Sequence, residues 1–466
     1  MIETERRPTI AVLLGAMMVF AVTHSLAAQQ RLNQQAVHQQ DQDEQVPRRG
    51  AGSLSGTETP ATSARDSSSE GTTQDDPDAM RVYTSDGSGK LRFESADGDF
   101  KGRFGGRIMF DNTFGTVNDD IGGTVDDDIG AMPDGTEFRR ARLFTQGVLH
   151  DIGYKFQMDF AGDPDIESMY LAFPAPVPNA DLKVGKFKED VSLVEQTSSK
   201  YITFMARPML TEFVGGRDLG IRLGGNADGG DLTYGVGAYR ATTDDALGTS
   251  RGDGEYKGTG RVTYVSWRTD GSRKLIHIGA SGSVASLNAD ESSAEAHEPE
   301  VHLAPDFVDT GTINADQQFL VGAESALVYS SFSVQAEFLQ KQYGVDGNGD
   351  DLMFNAWYVT GSYFLTGEHR PYDGGSFSWV SPNTNVTSEG GSGAWEIAAR
   401  VSRMDLNDGS VIGGEATNVA VGVNWYLNPS ARIMANYTFA DVEDAAGTEG
   451  VDGTGNFASV RFQIDF

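Results

Sequence analysis

The 466-residue chain contains no cysteine, which excludes disulfides, zinc–thiolate sites and a thiol nucleophile. It is short of positive charge. Lys and Arg number 36 against 67 Asp and Glu, for a net charge of −31, which argues against a nucleic-acid partner because phosphate backbones demand an excess of cations. Histidine is scarce, at 7 residues, and only His277 falls well inside an expected strand. No serine–histidine pairing or strand–turn–helix elbow emerges, so an envelope hydrolase is a remote alternative and no catalytic residue is assigned. Beyond Val22 no apolar run approaches the ~20 residues of a spanning helix.

What is present begins with an address. Arg6 and Arg7 precede an apolar run, Ile10 to Val22, and Ser25-Leu26-Ala27 has the small-x-small form of a signal-peptidase site. Residues 1–27 are expected to be a signal peptide; the alternative is an uncleaved anchor. Residues 28–80 are Gln-rich and then Ser/Thr/Asp-rich, with too little apolar surface to offset ordering entropy, and are expected to form a disordered periplasmic extension.

From residue 81 to 466 the texture is Gly-rich and aromatic, with runs that alternate apolar and polar residues. Phe100, Phe104, Ile108 and Phe110 oppose Lys101, Arg103, Arg107 and Asp111; Tyr154, Phe156, Met158 and Phe160 oppose Lys155, Gln157 and Asp159; Val460, Phe462, Ile464 and Phe466 oppose Arg461, Gln463 and Asp465. About sixteen such runs follow one another, some joined by tight turns and others by long acidic loops. Short turns at one end and long loops at the other describe an outer-membrane barrel. The sequence therefore predicts an all-β fold: a 16-stranded antiparallel transmembrane β-barrel. A soluble sandwich would also alternate. Against it stand the export signal, the length and number of the strands, and aromatics near strand ends (Phe110, Phe114, Tyr170, Phe173, Tyr363, Phe364, Trp425, Tyr426), expected to form interfacial girdles.

Energetics orient the wall. An Arg or Lys facing lipid near the midplane costs ~2–4 kcal/mol. Lys101, Arg103 and Arg107 together would then forfeit several kcal/mol, so the charged parity must face a wet interior. The final strand must pair with the first to remove both edges. A terminal Phe466 at the end of an alternating strand also matches the signature read by barrel-insertion machinery.

Several phrases, in order, carry a resemblance: "EFRRARLFTQGVLHDIGYKFQMDFAG" (Glu137–Gly162), "LKVGKFKED" (Leu182–Asp190), "TSSKYITFMARP" (Thr197–Pro208), "GGRDLGIRLGG" (Gly215–Gly225), "YFLTGEHRPY" (Tyr363–Tyr372), "GAWEIAARVSRMDLND" (Gly393–Asp408) and "VGVNWYLNPSARIMANY" (Val421–Tyr437). Over roughly residues 81–466 the chain resembles the phosphate- and polyphosphate-selective porins of Gram-negative outer membranes. The resemblance implies a water-filled trimeric channel, a loop folded inward to constrict it, and basic side chains that select anions such as phosphate. The inward loop would run from Glu189 to Gly216, carrying Ser198, Ser199, Lys200 and Arg207. Ala206 stands where the family places an acidic residue.

The candidate pore-lining, anion-binding residues are Arg103, Arg107, Arg140, Arg142, Lys155, Lys188, Lys200, Arg207, Arg222 and Arg400, within a wider set that includes Lys186, Arg261, Arg432 and Arg461. Arg suits phosphate because its fork makes two bonds at once. The competing expectation is that these cations simply pair with lumenal carboxylates such as Asp159, Asp218 and Glu396. Strict parity from Leu182 and Val184 would turn Lys186 and Lys188 outward unless a bulge or the strand end intervenes. No cofactor and no metal are expected; "DGNGDD" (Asp346–Asp351) departs from a calcium loop at its sixth and twelfth positions. Expected partners are outer-membrane lipid and lipopolysaccharide, small anionic solutes, two further copies in a homotrimer, and the insertion machinery through Phe466. A closed barrel acting as adhesin or envelope anchor is the nearer alternative.

Overall fold

The computed structural model describes residues 80–84, 91–118, 134–240, 255–269, 271–287, 295–345, 351–386 and 390–466. The expected signal peptide and the "DGNGDD" stretch other than Asp351 lie outside these residues. No helix among them is long and apolar enough to cross a membrane.

Sixteen antiparallel strands form the wall: β1 (Phe100–Val117), β2 (Gly135–Leu149), β3 (Ile152–Asp159), β4 (Asp165–Pro174), β5 (Ala180–Lys188), β6 (Arg217–Ala227), β7 (Leu232–Arg240), β8 (Tyr256–Thr269), β9 (Lys274–Ser286), β10 (Ala315–Tyr329), β11 (Phe332–Val345), β12 (Leu352–Phe364), β13 (Ala394–Asp408), β14 (Val411–Asn428), β15 (Ala431–Glu443) and β16 (Gly453–Asp465). Each pairs with its neighbour, and β16 pairs with β1 from Gly455↔Val117 to Asp465↔Arg107, so the sheet closes. Phe466 completes the seam by exchanging backbone hydrogen bonds with Gly106 at 2.8 and 3.1 Å. Below the point where β16 stops, the first residues of β1 pair instead with a short strand, Leu91–Ser95. That strand is itself paired with Met80–Thr84 in a hairpin appended to the seam.

The parity argument is realised in the burial. Phe104, Ile108, Phe156, Ile221, Val421, Phe462 and Ile464 are exposed on the outside, while Arg103, Arg107, Asp111, Gln157, Asp159, Asp218 and Arg461 are buried within. Outward apolar side chains suit hydrocarbon, and inward charges avoid it. Three of the expected girdle residues depart from the pattern. Phe364 and Tyr426 are buried inside with Trp379 and Tyr201, and Tyr170 lines an internal cavity; proximity to a strand end does not fix the face.

The distribution of loops also departs from the simple asymmetry. The turns at 150–151, 330–331 and 429–430 are tight, as expected for the periplasmic end. The connection between β12 and β13, residues 365–393, lies at that same end and is long. Conversely, β3–β4 and β13–β14 are joined by short turns at the opposite end.

Three segments fold into the barrel. Residues 189–216 bury Val191, Leu193, Ile202, Met209, Leu210 and Phe213. Residues 295–314 bury Val301, Phe307, Val308 and Ile313, and join the first segment in one apolar cluster against inward side chains of β10–β15 such as Leu339, Phe354 and Met404. Residues 366–386 enter from the other end, placing Tyr372 and Phe377 against Leu193, Val265 and Leu275.

Candidate functional site

The inward segment 189–216 is held from two sides. On the β11 side, the Glu337 carboxylate accepts from the backbone N–H groups of Leu193 and Val194, both at 2.8 Å, capping the helical turn Leu193–Gln196. On the β13–β16 side, wall side chains donate to its carbonyls: Arg400 to Ala206 (3.0 Å), Asn424 to Thr203 (2.8 Å), Arg432 to Ile202 (3.0 Å), Arg461 to Met205 (2.7 Å) and Gln463 to Lys200 (3.3 Å). Five polar contacts to otherwise orphaned carbonyls fasten an irregular segment that lacks a ladder of its own.

Pressed to one side, the loop leaves open space beside β1 and β3–β8. That cavity holds about 290 Å³. Its basic lining residues are Arg107, Lys155, Lys183, Lys188, Arg217, Arg222 and Arg261, and its one lining carboxylate among the described residues is Asp190. Ser198 and Ser199 of the loop and Ser168 of β4 add hydroxyls, and Arg107 donates to Ser199 Oγ at 2.7 Å.

Of the ten sequence candidates, Arg107, Lys155, Lys188 and Arg222 line this cavity. The other six sit within the barrel, outside its lining. Arg103 lies over the Phe144 ring at 5.1 Å. Arg142 pairs with Asp159 at 2.5 Å and with Glu167. Arg140 is half-buried and feels the positive charges of Arg142, Arg139 and Arg207. Lys200 lies over Tyr201 at 5.1 Å. Arg207 pairs with Glu195 at 3.0 Å and donates to the carbonyls of Val194 and Thr197. Arg400 pairs with Glu300 and lies over Phe204 at 4.5 Å. It borders a second, water-sized space of about 20 Å³ shared with Arg139, Arg461, Glu137 and His302.

The cations thus divide between residues that line the cavity and residues that pair with lumenal carboxylates or hold the loop. Arg400 and Arg461, like Arg432, act as fasteners of the loop, with their charges answered by Glu300 and Asp111 in the first two cases. Arg222 pairs with Asp190 and Asp181, and Lys257 with Glu189 and Asp218. Glu396, the third carboxylate expected to pair with a cation, instead accepts from Asn424 and Tyr426, both at 2.9 Å. Lys188 lies at the end of β5, where it escapes strict parity and pairs with Glu195 Oε1 at 3.0 Å. Burial alone pushes the Glu195 carboxyl up, but Arg207 and Lys188 overcome this and hold it down at about 2. Lys186 shares a register position with outward Met169 and reaches Asp165 at 3.3 Å rather than the cavity.

Several lumenal residues carried no period-two signal. Arg139 is the extra residue of a bulge in β2 opposite Met109 and Phe110, and this brings it inside with Arg140 and Arg142. Glu167 is the extra residue of a bulge in β4 opposite Gln157 and Met158. Arg217 opens β6 on outward parity yet turns to Glu167 at 2.5 Å. Lys183 was accessible to the parity argument: it lies between outward Leu182 and Val184 and sits 4.6 Å from the Tyr170 ring centroid.

Comparison with known proteins agrees with this architecture. The family model described as phosphate-selective porin O and P matches residues 115–466. Porin O of Pseudomonas aeruginosa is 26% identical over 424 residues, covering 81% of this chain and 91% of that protein. An uncharacterized protein of Caulobacter vibrioides is 29% identical over 394 residues, covering 81% of this chain and 76% of its own length. Among solved structures, the anion-selective porin from Comamonas acidovorans shares the fold at a TM-score of 0.50 and 13% identity, covering 78% of this chain and 99% of that one. A closed barrel with outward hydrocarbon-facing side chains, an inward loop and this match over three quarters of its length place the chain in the phosphate-selective porin O and P family, as a channel-forming porin of the Gram-negative outer membrane.

Proposed function

We propose that the lumen passes small anions in preference to cations, with inorganic phosphate or short polyphosphates as fitting solutes. The observation that carries this reading is the imbalance of the main cavity lining: among the described residues, seven Lys and Arg against Asp190, in a chain whose overall charge is −31. A charge pair at 4 Å is worth ~1 kcal/mol in bulk water but ~4 kcal/mol at the effective dielectric of a protein-lined throat. Several such contacts in series admit an anion without trapping it. Arg107, Lys155, Lys188 and Arg222 are the candidates nearest the path. Arg103, Arg140, Arg142, Lys200 and Arg207 shape the field around it, and Arg400 acts mainly through the loop.

Around this channel the chain is read as a signal peptide (1–27), a periplasmic extension (28–80) and the barrel (81–466). The working unit is a homotrimer embedded in lipid and lipopolysaccharide, inserted through the Phe466 terminus. The reading is tested by the reversal potential of the purified protein in planar bilayers across a potassium chloride gradient. Anion preference with block of chloride current by phosphate is expected; a cation-preferring channel refutes the charge argument and leaves the barrel intact.

A further inference from the structure

We propose that Glu167 sets how tightly the lumen holds a passing anion: it is the resident carboxylate with which an incoming oxyanion competes for Arg217. The proposal rests on the anion-channel reading above. Glu167 owes its position to the β4 bulge, which expels it from the register between the Gln157↔Ser168 and Met158↔Ile166 pairs. Its carboxylate contacts Arg142 Nη2 through one oxygen and Arg217 Nη1, at 2.5 Å, through the other. Arg140 and Arg107 add further positive charge to its surroundings. Two guanidinium groups thus contact one bulged carboxylate, and Arg217 of the pair lines the main cavity together with Arg107.

The contact with Arg217 is close but poorly aligned. Neither Glu167 Oε2 nor Arg217 Nε has a hydrogen-bond partner, and both are buried. A buried donor left in this way favours any acceptor that can reach it. A tetrahedral oxyanion in the cavity can take that donor and present a second oxygen to the neighbouring Nη, the fork geometry in which guanidinium groups bind phosphate. Arg142 keeps its Asp159 partner at 2.5 Å when Glu167 is displaced, so the exchange does not strand it. Glu167 therefore makes the anion well shallower. Without it, the same guanidinium groups bind the anion more tightly and release it more slowly.

The test is phosphate block of chloride current in planar bilayers, using the full-length protein and its Glu167→Gln and Arg217→Gln variants. The half-blocking phosphate concentration is expected to fall about tenfold in Glu167→Gln, as one competing charge-assisted contact is removed, with a smaller saturating current. It is expected to rise in Arg217→Gln. An unchanged or higher half-blocking concentration in Glu167→Gln, in a channel whose parent prefers anions, overturns the assignment to Glu167 alone. A parent that prefers cations overturns the anion-channel reading and this proposal together. If Glu167→Gln does not assemble, Glu167→Asp is measured in its place, because its shorter arm reaches one guanidinium; block that fails to tighten there also overturns the proposal.

Discussion

Replacing Glu195 with Gln removes the carboxylate that joins the two arms of the inward loop. Glu195 Oε1 faces Lys188 Nζ and Oε2 faces Arg207 Nε, each at 3.0 Å, and all three side chains are largely buried. Removing one partner of a buried charge pair costs about 3–5 kcal/mol, because the remaining charge is stranded. Here Arg207 keeps the carbonyls of Val194, Glu195 and Thr197, and Lys188 keeps the Glu195 carbonyl, so the lower end applies. A loss of about 3 kcal/mol multiplies the population of the detached loop by on the order of a hundred. Hydrogen exchange followed by mass spectrometry reads this directly on peptides within 189–216, because local opening exposes their amides. Exchange there is expected to accelerate about a hundredfold, with peptides of β10–β12 unchanged. Equal exchange in both proteins would show that the Glu337 cap and the wall arginines hold the loop without Glu195. Acceleration throughout the barrel would show that the residue supports the wall rather than the loop.

Acid should reproduce part of that effect. The Glu195 carboxyl, held at about 2 in the folded state, contributes stability that is fully present above its ordinary value near 4.5 and is lost as pH falls toward 2. Loop exchange, corrected for intrinsic rates, should therefore rise across that window in the parent and stay flat in Glu195→Gln. Arg461→Gln removes the partner of buried Asp111 (2.6 and 2.7 Å) and a fastener at the Met205 carbonyl. It should cost about 3–5 kcal/mol, seen as a lower pre-incubation temperature at which the compact band is lost in gel electrophoresis. Gly185→Ala should destabilise the β4–β5 pairing by roughly 1–3 kcal/mol in urea titration. Gly185 has φ 136°, and a Cβ there would lie 2.1 Å from the Met169 carbonyl oxygen. Lys183→Gln should shift the reversal potential toward zero by weakening the field in the main cavity, and an unchanged potential would remove Lys183 from the path.

The wall was legible in the sequence because alternation is local. Each residue of Phe100–Phe110 or Val460–Phe466 declares its face through its neighbours, and the roughly sixteen alternating runs correspond to the sixteen strands of the wall. The inward loop at 189–216 came from family resemblance, since its apolar residues follow no period. What the sequence hid was long-range or aperiodic. A bulge such as that at Arg139 or Glu167 shifts parity by one residue and leaves no compositional trace. The partners of Arg400 and Arg461 depend on residues about a hundred or more positions away, Glu300 and Asp111, so no local pattern could separate a pore cation from a fastener. The entry of 366–386 from the turn-rich end was equally hidden, because its Gly- and Pro-rich texture matches an exposed loop.

That last segment has a consequence for traffic through the pore. Thr197 of the loop entering from one end accepts from the Phe377 backbone N–H of the segment entering from the other, at 3.3 Å. Arg261 bridges Glu324 on the wall and the Gly375 carbonyl. Two segments, one entering from each end of the barrel, thus meet inside the lumen, and both contribute to the lining of the main cavity. Because one segment joins β5 to β6 and the other β12 to β13, either can be altered without changing the strand connections of its counterpart.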